Sequence, residues 1–363
     1  MAAAVSPRCR AIAEFLDSLS EPAWRMKQVQ KYIYSGYKYK WHVMEELPTG
    51  LRMRLKEKFG KYVMSFAPTH VAEGDNAQKV LLQSHRDKAR VEAVSLNFRT
   101  HRSLCISSQV GCAFQCSFCA TGKIGLKRQL DADEISDQVL HFLQRGQKID
   151  GVSFMGMGEP LANPKIFDAL EILTNPEFLA FSRRRMNVST VGVIPGLLKL
   201  QETYPQVNVA FSLHSPFTDE RNRLVPLNKM YPMEKVFEVL DQRIRLTGRQ
   251  VWVSYLLLQG QNDTEEHAKA LVQLIKRDRP SEVRYLYHVN LLPYNTGKSV
   301  PDSYGRTGRE SVEVFQRMLQ ENGISNSYRN SFGHGIDAAC GQLFAGYEAK
   351  NRAASVASTP SAE

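Results

Sequence analysis

Short β-prone runs alternate with helical stretches from residue 104 onward, and this alternation dominates the chain. The helix between the first two runs is the most distinct, because Asp131 can cap it and Glu134 stands three residues later, ahead of an apolar stripe. Strands that alternate with helices usually pair in parallel. The pattern therefore predicts an α/β fold, built as an open sheet or a barrel. The six predicted strands are 104–107, 152–155, 187–190, 207–213, 251–258 and 285–292.

The region 1–90 follows a different pattern. Apolar residues recur there at helical spacings and predict three or so short helices, and strand-like segments follow at 79–82 and 90–96. The last residues, 349–363, are rich in Ala, Ser and Thr without periodicity, which is typical of a disordered tail. We therefore expect an accessory domain at 1–90, a main domain at 91–348 and a disordered tail.

The charge of the chain points to an anionic partner. There are 47 Lys and Arg against 37 Asp and Glu, a formal net charge of +10, and Arg25 to Lys61 contains ten basic and three acidic residues. The segment 31–42 interleaves Lys with aromatic residues, a composition suited to RNA phosphates and unpaired bases. Alternatively, these aromatic residues form the core of a small helical module with a solvated Lys face. Arginines that can extend the basic surface stand at 183–185, 243, 245 and 249.

Composition excludes several classes of protein. Hydrophobic residues make up 43% and charged residues 23%, which are globular proportions. There is no run of eighteen apolar residues, so we expect no membrane span. The start has no long apolar core ahead of a small-residue cleavage site, so we expect a cytoplasmic protein. Six cysteines are too few for a disulfide framework in 363 residues.

Three cysteines form the strongest chemical signal. Cys112, Cys116 and Cys119 follow the first strand of the main region in a Cys-x3-Cys-x2-Cys array. Three thiolates this close can bind one soft metal centre. A structural zinc ion takes four protein ligands, whereas an iron–sulfur cube on three thiolates keeps one iron open. The spacing is typical of radical S-adenosylmethionine (SAM) enzymes. The alternative is a zinc site that uses Cys105 or a histidine as its fourth ligand.

Further candidate residues stand where the predicted strands end. In a parallel α/β barrel, this is where ligands bind. Each residue alone is more often a turn residue or a helix cap, but together they surround the cysteine array. The set comprises Gly156, Gly158, Glu159, Ser189, Ser212, Leu213, His214 and Asn295.

Two other cysteines are candidates for a functional pair. Cys105 precedes the array, and Cys340 lies among small residues that leave its sulfur room for an approaching group. Free cysteines are more often small buried apolar residues, and the sequence slightly favours that interpretation. Cys9 is assigned no role.

These motifs resemble those of the radical SAM methyltransferases that modify an adenosine in the peptidyl-transferase centre of 23S ribosomal RNA, the RlmN/Cfr family. The resemblance covers roughly residues 10–347. It implies a partial (β/α)6 radical SAM barrel with a small N-terminal helical or α+β accessory domain. The shared motifs, besides the cysteine array, are Cys105-Ile-Ser-Ser-Gln-Val-Gly-Cys112, Gly156-Met-Gly-Glu159, Ser212-Leu-His214, Val289-Asn-Leu-Leu-Pro-Tyr-Asn295 and Ile336-Asp-Ala-Ala-Cys-Gly-Gln342.

The family has two branches that differ in the carbon they methylate. The housekeeping branch modifies carbon 2 of the adenine, and the antibiotic-resistance branch modifies carbon 8. The segments 211–216, 287–290 and 138–142 look more like the resistance branch, whereas Pro160 matches the housekeeping branch. We expect carbon 8 and resistance to antibiotics of the peptidyl-transferase centre, with carbon 2, and tRNA as a further substrate, as the alternative.

The resemblance also implies roles for individual residues. Cys112, Cys116 and Cys119 match the ligands of a [4Fe–4S] cluster. Cys340 matches a methyl-carrying cysteine, Cys105 its resolving partner in a transient disulfide, and Glu92 a proton acceptor. The SAM contacts are expected from Gly158, Glu159, Ser189, Ser212, Leu213, His214 and Asn295. The implied partners are 23S rRNA and a flavodoxin-type electron donor, and we expect a monomer without a membrane partner.

The proposed target explains why so many groups are needed. Carbons 2 and 8 of adenine are electron-poor and cannot attack the methyl group of SAM, whereas a thiolate can. A radical route then has to deliver the methyl carbon from Cys340 to the ring. Release requires a base and a second thiolate, which are the roles that the resemblance gives to Glu92 and Cys105.

Overall fold

The computed structural model describes residues 6–295 and 303–329. It opens with three short helices, α1 (Pro7–Ser18), α2 (Trp24–Tyr34) and α3 (Thr49–Phe59). The Ser6 side chain caps α1 by accepting a hydrogen bond from the Cys9 N–H, and Pro7 occupies the first turn, where no N–H is needed. The helical part of the accessory region therefore agrees with the sequence prediction.

A ten-stranded sheet forms the body of the molecule. Its order is sequential, from β1 to β4 and then β7 to β12, while β5 and β6 form a separate two-stranded hairpin. The strands are β1 (Phe66–Gly74), β2 (Ala77–Ser84), β3 (Arg90–Asn97), β4 (Arg102–Cys105), β5 (Gln109–Val110), β6 (Arg128–Gln129), β7 (Gly151–Phe154), β8 (Met186–Thr190), β9 (Asn208–Ser212), β10 (Val251–Leu257), β11 (Tyr287–Pro293) and β12 (Ser325–Tyr328).

The pairing changes from antiparallel to parallel within this sheet. Strands β1 to β4 pair antiparallel, and all neighbours from β4 to β12 pair in parallel. Helices connect the parallel strands, so the predicted α/β class is confirmed. The sequence analysis missed β1, which is largely exposed, and β12, whose residues Ser325 to Tyr328 lack apolar alternation. The connecting helices are α4 (Ala120–Ile124), α5 (Ala132–Leu143), α6 (Ile166–Thr174), α7 (Ile194–Thr203), α8 (Thr218–Leu224), α9 (Met233–Thr247), α10 (Glu265–Lys276), α11 (Ser281–Arg284) and α12 (Arg309–Glu321).

The two faces of the parallel strands differ in polarity. One face is apolar and buried, with Val188, Val253 and Val289 at its centre. The opposite face is largely polar, because side chains alternate between the faces along each strand. Two rows of residues paired across neighbouring strands cross this face. The first row consists of Cys105, Ser153, Asn187 and Asn208. The second row consists of Ser212, Ser254, Asn290 and Ser327. This polar face can accommodate a polar ligand.

The accessory region is joined tightly to the rest of the molecule. Arg8 forms an ion pair of 2.5 Å with Asp137 of α5, and Ser6 Oγ donates to Asp133 Oδ1 at 2.6 Å. The sheet also runs across the predicted boundary at residue 90, because β3 pairs with both β2 and β4. The division into two domains stays a prediction. Among the described helices, none is long and apolar enough to cross a bilayer.

Candidate active site

The cysteine loop, residues 112–119, lies at the carboxyl edge of the parallel strands, between β5 and α4. Its base is the hairpin of β5 and β6, where Cys112 N–H donates to Gly125 O at 3.2 Å. Gly111 has φ +81°, and a Cβ at this position would overlap the Gly125 carbonyl. The tight base therefore requires a glycine next to the first cysteine.

The three thiols of this loop are not joined in disulfides, are half-buried and are close enough to influence one another. Burial raises the pKa of Cys112 to about 12, with smaller contributions from Cys119 and Glu159. Burial likewise raises the pKa of Cys116 well above its usual range, and the neighbouring thiols add to it. A cationic centre would replace the protons of such thiols on binding.

Three neighbouring thiols suit an iron–sulfur cube, which keeps one iron open, whereas a structural zinc ion takes four protein ligands. Within residues 6–295 and 303–329, no group of three or more His, Cys, Asp or Glu side chains is arranged to hold a metal ion. Cluster binding by Cys112, Cys116 and Cys119 stays a prediction, supported by the chemistry of three neighbouring thiols.

The segment after β7 packs directly against β5 and the residues before it, just ahead of the cysteine loop. Gly158 has φ +95°, and a Cβ there would come within 2.6 Å of Gln109 Cγ. Met157 N–H donates to Ser107 Oγ at 2.9 Å, and Glu159 N–H donates to Gln109 Oε1 at 2.7 Å. The glycine is therefore needed for the close approach of these two chain segments.

The Glu159 side chain is 4% exposed and links two strand ends. Its Oε1 accepts from Leu161 N–H at 3.1 Å, and its Oε2 accepts from Val191 N–H at 2.9 Å. Burial raises the pKa of Glu159 to about 7, against these hydrogen bonds and one from Thr190. A carboxylate has about four acceptor positions, and three are used, so about one remains for an ammonium group, and the SAM contact stays a prediction.

Ser189 and Ser212 lie side by side on the polar face. Their hydroxyl oxygens are 3.4 Å apart. The Leu213 side chain is buried on the apolar face of the sheet. Its backbone N–H donates to Ser254 O at 3.0 Å. Asn295 is half-buried just beyond β11. The structure therefore brings these strand ends to one edge of the sheet, and only the backbone of Leu213 can face a ligand there.

His214 is held in one orientation and one tautomer. It is a non-glycine residue at φ +63°, and its Nδ1 accepts from Leu256 N–H at 3.0 Å. Burial, helped by the Arg221 charge, lowers its pKa to about 3. The neutral ring therefore carries its proton on Nε2. Its ring also lies edge-to-face with Phe118 of the cysteine loop, at 4.8 Å between centroids.

Glu92 and Cys105 occupy the same part of the sheet. Cys105 ends β4 opposite Val94, and Glu92 lies two residues from Val94 on β3 and hence on the same face. Glu92 is buried, and its carbonyl accepts from Ser107 Oγ at 2.7 Å. The structure thus brings the proposed base and the proposed resolving thiol to one edge. Cys340 lies outside the described residues.

Sequence analysis overlooked Arg221, a buried residue at this edge. Its guanidinium donates to the carbonyls of Val191, Ser212 and Leu213 at 2.8, 3.0 and 3.0 Å. In the sequence it belongs to a charged helix, Thr218–Leu224, whose next arginine, Arg223, is exposed. The chain pattern carries no signal that separates the two.

Comparison with known proteins gives one consistent result. Residues 106–272, which include the cysteine loop, match the Radical SAM superfamily. The chain is 44% identical over 342 residues to the ribosomal RNA large subunit methyltransferase Cfr of Shouchella clausii, covering 94% of this chain and 97% of that one. It is 45% identical over 338 residues to the protein of the same name from Staphylococcus aureus, covering 93% and 96%. A radical SAM methyltransferase structure from Sphaerobacter thermophilus superimposes with a TM-score of 0.84 at 33% identity, covering 92% and 96%.

Proposed function

This chain belongs to the RlmN/Cfr family of radical SAM ribosomal RNA methyltransferases, and we propose that it methylates carbon 8 of an adenosine in the peptidyl-transferase centre of 23S rRNA. The observation that carries the proposal is the grouping of three neighbouring thiols with the Gly158–Glu159 loop and the Ser189–Ser212 pair at one edge of the sheet. Such methylation would confer resistance to antibiotics of that centre.

Sequence similarity favours carbon 8 over carbon 2. The relatives reported above carry the name of the resistance branch. Pro160, which matches the housekeeping branch, begins the short 3-10 turn Pro160–Ala162, where the missing N–H costs no hydrogen bond. A local backbone role accounts for this proline, so it does not weigh against carbon 8.

Different residues of the carboxyl edge would bind the cluster and SAM. A [4Fe–4S] cluster on Cys112, Cys116 and Cys119 would supply the electron that cleaves SAM. The Ser189 and Ser212 hydroxyls can hold the polar parts of SAM.

A methyl-cysteine route is the second part of the proposal. The Cys340 thiolate would take a methyl group from SAM by displacement, with S-adenosylhomocysteine as the leaving group. Radical chemistry from a second SAM would remove one hydrogen from this methyl group before its carbon bonds to the adenine. Glu92 would accept the ring proton, and the surplus electron of the adduct would return to the cluster. The Cys105 thiolate would then bond to the Cys340 sulfur while the bond between that sulfur and the transferred carbon breaks, and this carbon would take up a proton to become the methyl group. The resulting disulfide needs two electrons from a dithiol before the next turnover.

The exposed aromatic residues of the accessory region support RNA docking. Trp24, Tyr39 and Tyr62 are 54%, 39% and 36% exposed. A basic side chain stands over each ring: Arg25 at 4.1 Å, Lys40 at 5.0 Å and Lys61 at 5.4 Å from the ring centroid. Rings paired with cations suit stacking on unpaired bases beside phosphates.

Other residues considered for this surface are excluded by their burial. Ile33 and Trp41 belong to the core, as the alternative interpretation of this segment expected, and Tyr32 is partly buried against it. Arg243 is buried against the carbonyls of Pro205 and Val207. It lies at the amino end of β9, across the sheet from the cysteine loop, and so does not join the RNA surface.

Mass spectrometry of the target adenosine tests the activity and its position. Digested rRNA from cells with the protein should contain 8-methyladenosine, identified by co-elution with a standard, and rRNA from cells without it should not. Elution with 2-methyladenosine would replace carbon 8 by carbon 2. Methylation of neither carbon would contradict the proposed function.

Cysteine variants test the methyl-cysteine route. Cys340→Ala should abolish methylation, and Cys105→Ala should trap a covalent RNA–protein adduct visible on a denaturing gel. Cys9→Ala is the matched control, because Cys9 is buried in α1 and should turn over normally. Normal turnover of Cys105→Ala would refute its resolving role.

Surface variants test the RNA contact better than deletion, because deletion of residues 1–90 would cut the sheet at β3. The triple variant Trp24→Ala, Tyr39→Ala, Tyr62→Ala should weaken RNA binding by at least about tenfold, at a stacking energy of about 1–3 kcal/mol per base. Tyr285→Ala removes a ring that is 63% exposed, just after α11, and should bind normally. Equal binding by both variants would rule out this surface.

A further inference from the structure

Arg221 holds a charged group in a fully buried position. Its exposure is 0%, and besides the three strand-end carbonyls it donates to Asn228 Oδ1 at 2.5 Å. All four of these acceptors are neutral. Burial of a guanidinium is costly unless its donors are satisfied. Several hydrogen bonds therefore hold this charge at the carboxyl edge of β8 and β9.

The cysteine loop lies next to the buried charge of Arg221. The loop packs on the strand end that Arg221 binds, because the Phe118 ring lies edge-to-face with His214, the residue after Leu213, and Arg221 is close enough to Cys116 for the two to interact electrostatically. The loop is also tied to the helix of Arg221, because Ser117 N–H donates to Leu224 O at 3.0 Å. With a pKa of about 10, lowered by burial, the guanidinium is still protonated at neutral pH.

We propose that Arg221 is a positioning residue that fixes the cysteine loop against β8 and β9 and places one permanent positive charge beside Cys116. A cluster on three thiolates becomes more negative when it is reduced. A nearby positive charge stabilises the reduced state and raises the reduction potential, because net charge around the sulfurs is one of the factors that set it. The inference rests on the proposed cluster and adds a residue that tunes it.

Arg243 provides a matched control within the same sheet. It is also buried, binds the carbonyls of Pro205 and Val207, and has a pKa lowered to about 10 by burial and by Arg249. It differs in its place, because it lies at the amino end of β9. Loss of Arg243 should therefore cost stability without any effect on the cluster.

The test compares Arg221→Met with Arg243→Met after anaerobic reconstitution with iron and sulfide. The readouts are melting temperature, iron per chain, and the midpoint potential of the cluster from a redox titration followed by electron paramagnetic resonance. Both variants should melt at lower temperature than the parent. Only Arg221→Met should show a lower midpoint potential, with a reduced iron content. An unchanged potential in Arg221→Met would overturn the proposal.

A second pair of variants covers the case in which Arg221→Met does not fold. Lysine keeps the charge but cannot span several carbonyls, so Arg221→Lys should shift the potential in the same direction by less, and Arg243→Lys should not. Equal potentials in these two variants would also overturn the proposal. If the parent protein itself binds no acid-labile sulfide, the proposed cluster fails instead, which is a distinct result.

Discussion

The carboxyl and amino edges of the parallel sheet contain similar polar groups with different neighbours. At the amino edge, Asn208 bonds to Asn187 Oδ1 at 2.9 Å and accepts from Arg249 at 2.5 Å. At the carboxyl edge, Glu159 and Arg221 are buried beside the thiols of the cysteine loop. Perturbed pKa values are typical of functional sites, yet Arg243 is perturbed as much as Arg221. The neighbours of a buried charge, rather than its pKa, therefore distinguish the two edges.

The largest effect on iron content and activity should follow from loss of a cysteine-loop thiol. Cys116→Ala should bind little iron and give no measurable methylation, because two thiolates cannot hold the cube. Cys9→Ala removes a fully buried thiol in α1 and should keep both iron and activity. Iron and acid-labile sulfide analysis of the two purified proteins decides this, and full iron in Cys116→Ala would remove that cysteine from the ligand set.

A smaller difference is expected between two glycines with positive φ. Gly158 at φ +95° faces Gln109, whereas Gly146 at φ +73° has open space where a Cβ would stand. Gly146→Ala should cost only the backbone strain, about 1–2 kcal/mol. Gly158→Ala should lower the unfolding free energy further and weaken SAM binding, because the cysteine loop must move. Thermal unfolding and SAM titration check this, and equal effects of the two variants would mean that the contact with Gln109 does not matter.

The smallest difference should appear between two buried histidines in acid. Burial lowers the pKa of His141, on α5, to about 4 and that of His214 to about 3. Both pKa values lie below the unfolded value, so the unfolded chain binds the protons first. Stability is then complete above about pH 6.5 and falls as the pH is lowered toward these values.

Substitution separates the two histidines. His141→Gln should reduce the loss of folding stability in acid by about 2–3 kcal/mol at most, and it should leave SAM binding intact. Asparagine tolerates positive φ, so His214→Asn should fold. It should also reduce the loss of folding stability in acid, and in addition it should weaken SAM binding. Denaturant unfolding at pH 4 to 7 measures the first effect. An unchanged pH profile in both variants would show that neither ring is buried in its neutral form.

The sequence predicted most of the parallel sheet because short β-prone runs that contain buried apolar residues alternate with helical stretches. It located the carboxyl-edge residues because the topology of a parallel sheet brings strand ends together. It missed β12, whose four residues Ser325–Tyr328 are polar or partly exposed. It also missed Arg221, because burial of a charge depends on carbonyls supplied by distant segments. The closeness of Glu92 to Cys105 follows from the antiparallel register of β3 and β4, which no local pattern encodes.

Reductive cleavage of SAM tests the central claim most directly. Protein reconstituted without oxygen is mixed with SAM and dithionite, and 5′-deoxyadenosine is quantified by chromatography, with Cys116→Ala as the blank. The account predicts 5′-deoxyadenosine from the parent protein and none from the variant. A parent protein that yields no more than the variant would contradict it.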